Sequence, residues 1–135
     1  MRLQMTPDKF TVKDTRPVNL DITTFKFPLP AITSILHRIS GVALFIATAI
    51  LLYLLQLSLS SEQGFSEAVA IMDGTLMKIV LWAITTGLFY HLIAGVKHLL
   101  MDLGWGETKQ GAQLGAQITL GLAVLAAALA GAWIW

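Results

Sequence analysis

The sequence predicts an all-α integral membrane protein: three transmembrane helices preceded by an extended N-terminal arm. Two observations carry that reading. Of the 135 residues 56% are hydrophobic and only 13% charged, against about 25% charged in an average soluble domain; the mean hydropathy is +0.72. Charge is also absent from three long runs, Ile39–Ser61, Ile79–Val96 and Gln110–Trp135. The middle run, at 18 residues, reaches about 27 Å as a helix, close to the ~30 Å hydrocarbon thickness of a bilayer. The remainder of the chain is too small and too interrupted to cover three such helices in water. A net charge of +1 argues against a nucleic-acid binder, which needs a basic field. With no cysteine, the chain has no disulfide, thiolate metal site or thiol catalysis of its own.

The elements follow in order. Residues 1–30 form the arm, with Arg2, Lys9, Lys13, Arg16, Lys26 and all four prolines. No long apolar run follows the early charges, so a signal peptide is not expected, and Asp8, Asp14 and Asp21 argue against a transit peptide. Without a presequence, a bacterial inner membrane is the expected location, with a processed mitochondrial chain, its N-terminus on the matrix side, as the alternative. The arm is expected to lie on the membrane surface or on a partner protein. Residues 31–135 form the anchor domain, with helices expected over about 31–58, 74–102 and 110–134. Pro28 and Pro30 precede the first, and a proline at a first helical position loses no hydrogen bond. The connection from Ser58 to Gly74 carries Glu62, Glu67 and Asp73 and no Lys or Arg. Gly104 and Gly106 break the chain after the second helix. The third helix is mostly Ala, Leu and Gly; its Gly115, Gly121, Ala128 and Gly131 permit close helix packing.

Orientation follows from the basic residues. The arm and Arg38 supply six of the nine Lys and Arg, and Lys97 and Lys109 flank the second connection. The positive-inside rule therefore places the N-terminus in the cytoplasm and the C-terminus in the periplasm, with Trp133 and Trp135 at an interface. Lys78 sits against the rule as a lone residue able to snorkel.

His91 lies deep in the second helix, six residues before Lys97, about 9 Å along the axis. Ionisable groups at that depth face protein, a cofactor or water. Gly87 at i−4, Ala94 at i+3 and Gly95 at i+4 leave a flat slot on its face, the shape a porphyrin needs. Spacing supports two readings equally: an axial haem ligand, or a histidine hydrogen-bonded to a neighbouring helix whose glycines serve packing. His98 shares the face seven residues on, too far along the helix to ligate the same iron, so a second axial ligand is expected from another polypeptide. A second cluster opens the first helix: Ser34, His37, Arg38, Ser40 and Gly41. Ser34, Arg38 and Gly41 fall on one stripe, with His37 beside it. A guanidinium fork, an imidazole and a hydroxyl suit haem propionates or a quinone carbonyl; a snorkelled arginine and a helix-start serine are the ordinary alternative. Asp102 can pair with Arg38, pair with Lys97 or stay solvated.

Together these residues carry a resemblance. Arg16-Pro17-Val18-Asn19-Leu20-Asp21, then Ser34-Ile35-Leu36-His37-Arg38-Ile39-Ser40-Gly41, then His91-x-x-x-Gly95-x-Lys97-His98-Leu99-x-x-Asp102 resemble the cytochrome b membrane-anchor subunit of succinate dehydrogenase, respiratory complex II. One departure is Lys97, where an arginine is usual; it keeps the charge and loses the bidentate fork for carboxylate or phosphate. The resemblance implies a helical bundle completed by a second membrane-anchor subunit. It implies that His91 is one axial ligand of a haem b, the other histidine coming from that partner. Ser34 and Arg38 would line the ubiquinone site, and His37 and Arg38 would lie near the haem propionates. Lys97, His98 and Asp102 would be supporting residues. The arm would dock on an iron–sulfur subunit, and a flavoprotein subunit would oxidise succinate, FAD and the iron–sulfur clusters residing in those partners. Reducing quinone takes two electrons and two protons, and a cation with a hydroxyl donor stabilises negative charge formed midway. The chain shows no flavin fingerprint and too little soluble mass to enclose succinate. An anchor of a quinol:fumarate reductase and a cofactor-free membrane scaffold are the alternatives.

Overall fold

The computed structural model describes Thr24 and residues 26–135; the Arg16–Asp21 motif and nearly all of the arm lie outside them. Four helices follow: α1 Leu29–Ser60, α2 Glu62–Asp73, α3 Thr75–Asp102 and α4 Lys109–Ile134. Helix α1 begins at Pro28 as its cap, with Pro30 in the first turn, where backbone N–H groups have no intrahelical acceptor anyway. Helices α1, α3 and α4 are each long and apolar enough to cross a membrane. At 32, 28 and 26 residues they measure about 48, 42 and 39 Å, longer than the hydrocarbon core. Helices α1 and α3 therefore extend past their charge-free runs into the interface, whereas α4 nearly coincides with its own. The chain is an all-α, multi-pass membrane protein.

Helix α2 is where the structure departs from the expected connection. Ser61 Oγ accepts from Gly64 N–H at 2.9 Å and caps it, while Glu62 sits in its first turn, favourable at the positive end of the helix dipole. Phe65, Ala68, Val69 and Met72 follow helical spacing. Gly64 is buried where α2 turns back on α1, and a Cβ there would strike Ser60 Oγ. At the far end, Lys78 Nζ meets Asp73 Oδ1 at 2.6 Å, so the cation placed against the positive-inside rule has its own counter-charge. That ammonium holds the exposed Asp73 carboxyl below its ordinary value, through the hydrogen bond first and the charge second.

Helix α3 packs between α1 and α4, and α1 also touches α4. Leu54 apart, the buried positions of the three long helices are small: Ala47, Ala94, Ala116 and Ala130, with Thr33 and Thr119. This is packing by close backbone approach, since lipid removes the hydrophobic drive between helices. Hydrogen bonds between helices include Tyr90 Oη to the Thr33 carbonyl at 2.7 Å and Trp82 Nε1 to the Ala127 carbonyl at 2.9 Å. Gly131 receives the Trp82 indole and Gly115 the Lys97 stem, while Gly121 faces open space. The turn from α3 to α4 uses Gly104 at φ 86° and Gly106 at φ 77°, backbone that L side chains resist.

Candidate functional site

Along α1, Thr33, His37, Ser40 and Ala47 recur at helical spacing and turn toward the bundle. Along α3, Tyr90, His91 and Ala94 answer them. The Thr33 carbonyl is held by Tyr90, and one turn deeper the Ser40 hydroxyl donates to the His37 carbonyl at 2.8 Å. His91 Nδ1 lies 3.1 Å from that same carbonyl and 3.0 Å from Ser40 Oγ. A carbonyl only accepts, so the contact requires hydrogen on Nδ1, shared between the two oxygens. The tautomer that makes this contact carries its lone pair on Nε2. This is the arrangement in which a ligating histidine is oriented by a backbone carbonyl at its other nitrogen.

The His37 ring stacks on His91 with centroids 4.1 Å apart and planes 18° from parallel, and its other neighbour is the His98 ring at 5.3 Å. The three histidines thus form one column between α1 and α3. Face-to-face rings do not aim nitrogens at a common point between them, so His37 and His91 are not opposed axial ligands. Buried His37 Nε2 has no hydrogen-bond partner. The glycines divide differently from the expected slot. A Cβ on Gly41 of α1 would lie 3.1 Å from His91 Cε1; a Cβ on Gly95 would meet His37 Nε2 at 3.4 Å, and one on Gly87 would meet nothing within 4 Å. The glycine that seats His91 is therefore on the facing helix.

Ser34 and Arg38 follow Thr33 and His37 by one residue, about 100° around α1, on the flank that continues to Gly41 and Phe45. Ser34 and Gly41 are half-buried there, while the outer part of the flank is uncovered: Arg38 is exposed and Phe45 is 82% exposed. The facing flank of α3 is bare as well, through Leu88, Leu92 and Leu99. The histidine column lies in the crease between these two apolar flanks. Lys97 is elsewhere, its stem against Gly115 of α4. Asp102 is exposed and pairs with neither Arg38 nor Lys97 among the described residues. Ser40 and Tyr90 are the residues whose roles the sequence did not show: both act through backbone carbonyls of the other helix or their own turn, which no motif spacing marks.

The described residues hold no group of three or more His, Asp or Glu side chains able to bind a bare metal ion. One oriented imidazole suits an iron whose remaining positions are filled by a macrocycle and a second chain. The profile of the family described as "Succinate dehydrogenase/Fumarate reductase transmembrane subunit" matches residues 12–130. The chain belongs to this family. Among its relatives, a succinate dehydrogenase cytochrome b556 subunit of Coxiella burnetii is 39% identical over 121 residues, 89% of this chain and 97% of that one. The subunit of the same name from Paracoccus denitrificans is 34% identical over 82% of this chain and 86% of its own. A cytochrome b560 subunit of succinate dehydrogenase from Reclinomonas americana is 32% identical over 88% and 85%. The histidine column and its flanks lie wholly inside the segment that the family profile covers.

Proposed function

We propose that this chain is the membrane-anchor subunit of a succinate dehydrogenase, sharing a haem b with a second anchor subunit and forming part of the ubiquinone-reduction site. The observation that carries the proposal is the contact of His91 Nδ1 with the His37 carbonyl and Ser40, which occupies one ring nitrogen and leaves Nε2 as the candidate ligand. The donor set fits the cofactor. Gly41 brings backbone rather than side chain against the ring, and the orphaned His37 Nε2 is a polar group that a propionate would satisfy. When bound, haem b supplies a one-electron relay within the membrane.

The chain's own residues do the rest. His91 would hold the haem iron through Nε2, with a further histidine supplied by the partner anchor, which would cover the bare flanks of α1 and α3. Ser34 Oγ donates to a quinone carbonyl, and the Arg38 guanidinium lends positive potential to the head group as charge accumulates there. Both lie at the start of α1, at the membrane edge, where protons are available from water. Lys97 faces α4, so any supporting role it has is indirect. The arm docks on the iron–sulfur subunit, and FAD and the clusters stay in the partner subunits. The N-terminus lies in the cytoplasm and the C-terminus in the periplasm of a bacterial inner membrane. The succinate dehydrogenase names of the relatives favour this direction of catalysis over quinol:fumarate reduction.

A reduced-minus-oxidised absorption spectrum of the intact complex tests the reading. The wild type is expected to show a b-type band, and His91→Leu to lose most of it while succinate–dye activity persists. An unchanged band and haem affinity in His91→Leu would refute the ligand assignment. No band in the haem-replete wild type would reduce the chain to a scaffold.

A further inference from the structure

On the opposite side of α3 from the histidine column, a groove of about 410 Å³ runs between α3 and α4. Its α4 wall extends from Gly111 to Leu122, about 16 Å along the axis, half of a bilayer's hydrocarbon thickness. Its walls are almost wholly apolar, and Lys97 is the one ionisable residue that lines it. The one buried hydroxyl in its wall, Thr119 Oγ1, is satisfied by the Gly115 carbonyl at 2.8 Å, so the interior makes no polar demand. At its mouth stand Lys97 and Trp105, an ammonium and an exposed indole of the kind that sit at the headgroup level.

Lys97 has no acidic partner among the described residues. Asp102, five residues on, lies about 140° around α3, on the histidine side. Lys109 opens α4 at the same edge. Glu107 stands two residues before Lys109 on the same turn, so the edge is mixed in charge, and Lys97 is the single charge that the apolar groove itself presents. We infer that this groove binds a single anionic phospholipid, with one acyl chain between α3 and α4 and its phosphate on Lys97. The length of the groove matches one leaflet, and its charge complements a phosphodiester. A zwitterionic headgroup brings its own cation beside the phosphate and so competes with Lys97 for it, and an isoprenoid tail brings no anion at all. The inference does not rest on the haem or quinone assignments, which concern the other face of α3.

The test is native mass spectrometry of the intact complex, delipidated in mild detergent and titrated with phosphatidylglycerol or phosphatidylcholine of matched acyl chains. The wild type is expected to retain one phosphatidylglycerol in preference to phosphatidylcholine. Lys97→Gln is expected to weaken phosphatidylglycerol about fivefold, the factor one cation contributes beside anionic lipid, and to leave phosphatidylcholine unchanged. Lys97→Arg should keep the preference, and Ile118→Trp, which fills the groove, should abolish retention of both. Equal binding of the two lipids by the wild type, or unchanged phosphatidylglycerol binding in Lys97→Gln, overturns the charge contact. Retention that survives Ile118→Trp places the lipid elsewhere, and no retention by the wild type means that a partner covers the groove. A neutral quinone held in place of lipid and expelled by Ile118→Trp also overturns the inference.

Discussion

Gly41→Ala separates the stability of α1 from the integrity of the site, because it moves them in opposite directions. A Cβ at this position lies 3.1 Å from His91 Cε1. Carbon atoms rest at about 3.5–4.0 Å, so the imidazole must retreat by roughly 0.4–0.9 Å. It has little room to do so. His37 stacks on it at 4.1 Å, and Nδ1 is tied at 3.1 and 3.0 Å to the His37 carbonyl and Ser40. Even the lower end of that retreat lengthens the two contacts to about 3.4 and 3.5 Å, past the ordinary range of an N–H···O bond. Losing the partner that orients a ligating histidine costs about 10–100-fold in affinity, and the lower end applies because the lone pair itself survives. Alanine meanwhile favours the helix by up to about 1 kcal/mol over glycine. The expected outcome is a complex that assembles normally on a native gel yet binds haem about tenfold more weakly when haem-depleted complex is titrated and followed by its Soret band. Wild-type haem affinity in Gly41→Ala would refute the tight seat on which the ligand assignment rests.

Ser34→Ala and Arg38→Leu are expected to slow quinone reduction several-fold more than succinate–dye activity; normal quinone kinetics in both would place the head group elsewhere. Tyr90→Phe removes the 2.7 Å bond to the Thr33 carbonyl and should cost about 0.5–1.5 kcal/mol, read as a lower melting temperature by size-exclusion of heated, detergent-solubilised complex. An unchanged melting point would show that the bond contributes nothing beyond packing. Lys78 lowers the Asp73 carboxyl below its ordinary value, so the ion pair's contribution is full at neutral pH and is lost as pH falls past the ordinary value and through the lowered one. Hydrogen exchange at the α2–α3 junction should therefore accelerate on acidification in the wild type and be already fast at neutral pH in Asp73→Asn. Because the pair is exposed the effect is small, and identical exchange in both proteins at neutral pH would remove it.

The three membrane spans were legible because their signal is local. Length and the absence of charge set each run, and nothing else in the chain could change the cost of putting those residues in lipid. The ends of these helices were legible too, from the prolines, glycines and charges that flank them: α1 runs Leu29–Ser60 where about 31–58 was expected, with His37 and Arg38 inside it, and α3 and α4 end equally near their expected bounds. Helix α2 had a readable cap in Ser61 and a readable period in Phe65, Ala68, Val69 and Met72, yet at 12 residues such a pattern is too short to stand alone. Its packing on α1 makes it a helix.

His91 stood out by its depth, a property of one chain segment. What seats it did not, because a hydrogen bond from Nδ1 to a carbonyl 54 residues away and a glycine on another helix depend on how α1 and α3 pair. Sequence placed Gly87, Ala94 and Gly95 around His91 since they share its helix face; tertiary packing gave the contact to Gly41 and turned Gly95 toward His37. It also sent Lys97 to α4, where the same charge that belongs to the motif opens a separate groove. Residue type and run length determine which segments enter the membrane and which group is expensive there. Only the rotation of one helix against another decides which nitrogen is spent, which stays free, and which side of α3 each charge serves.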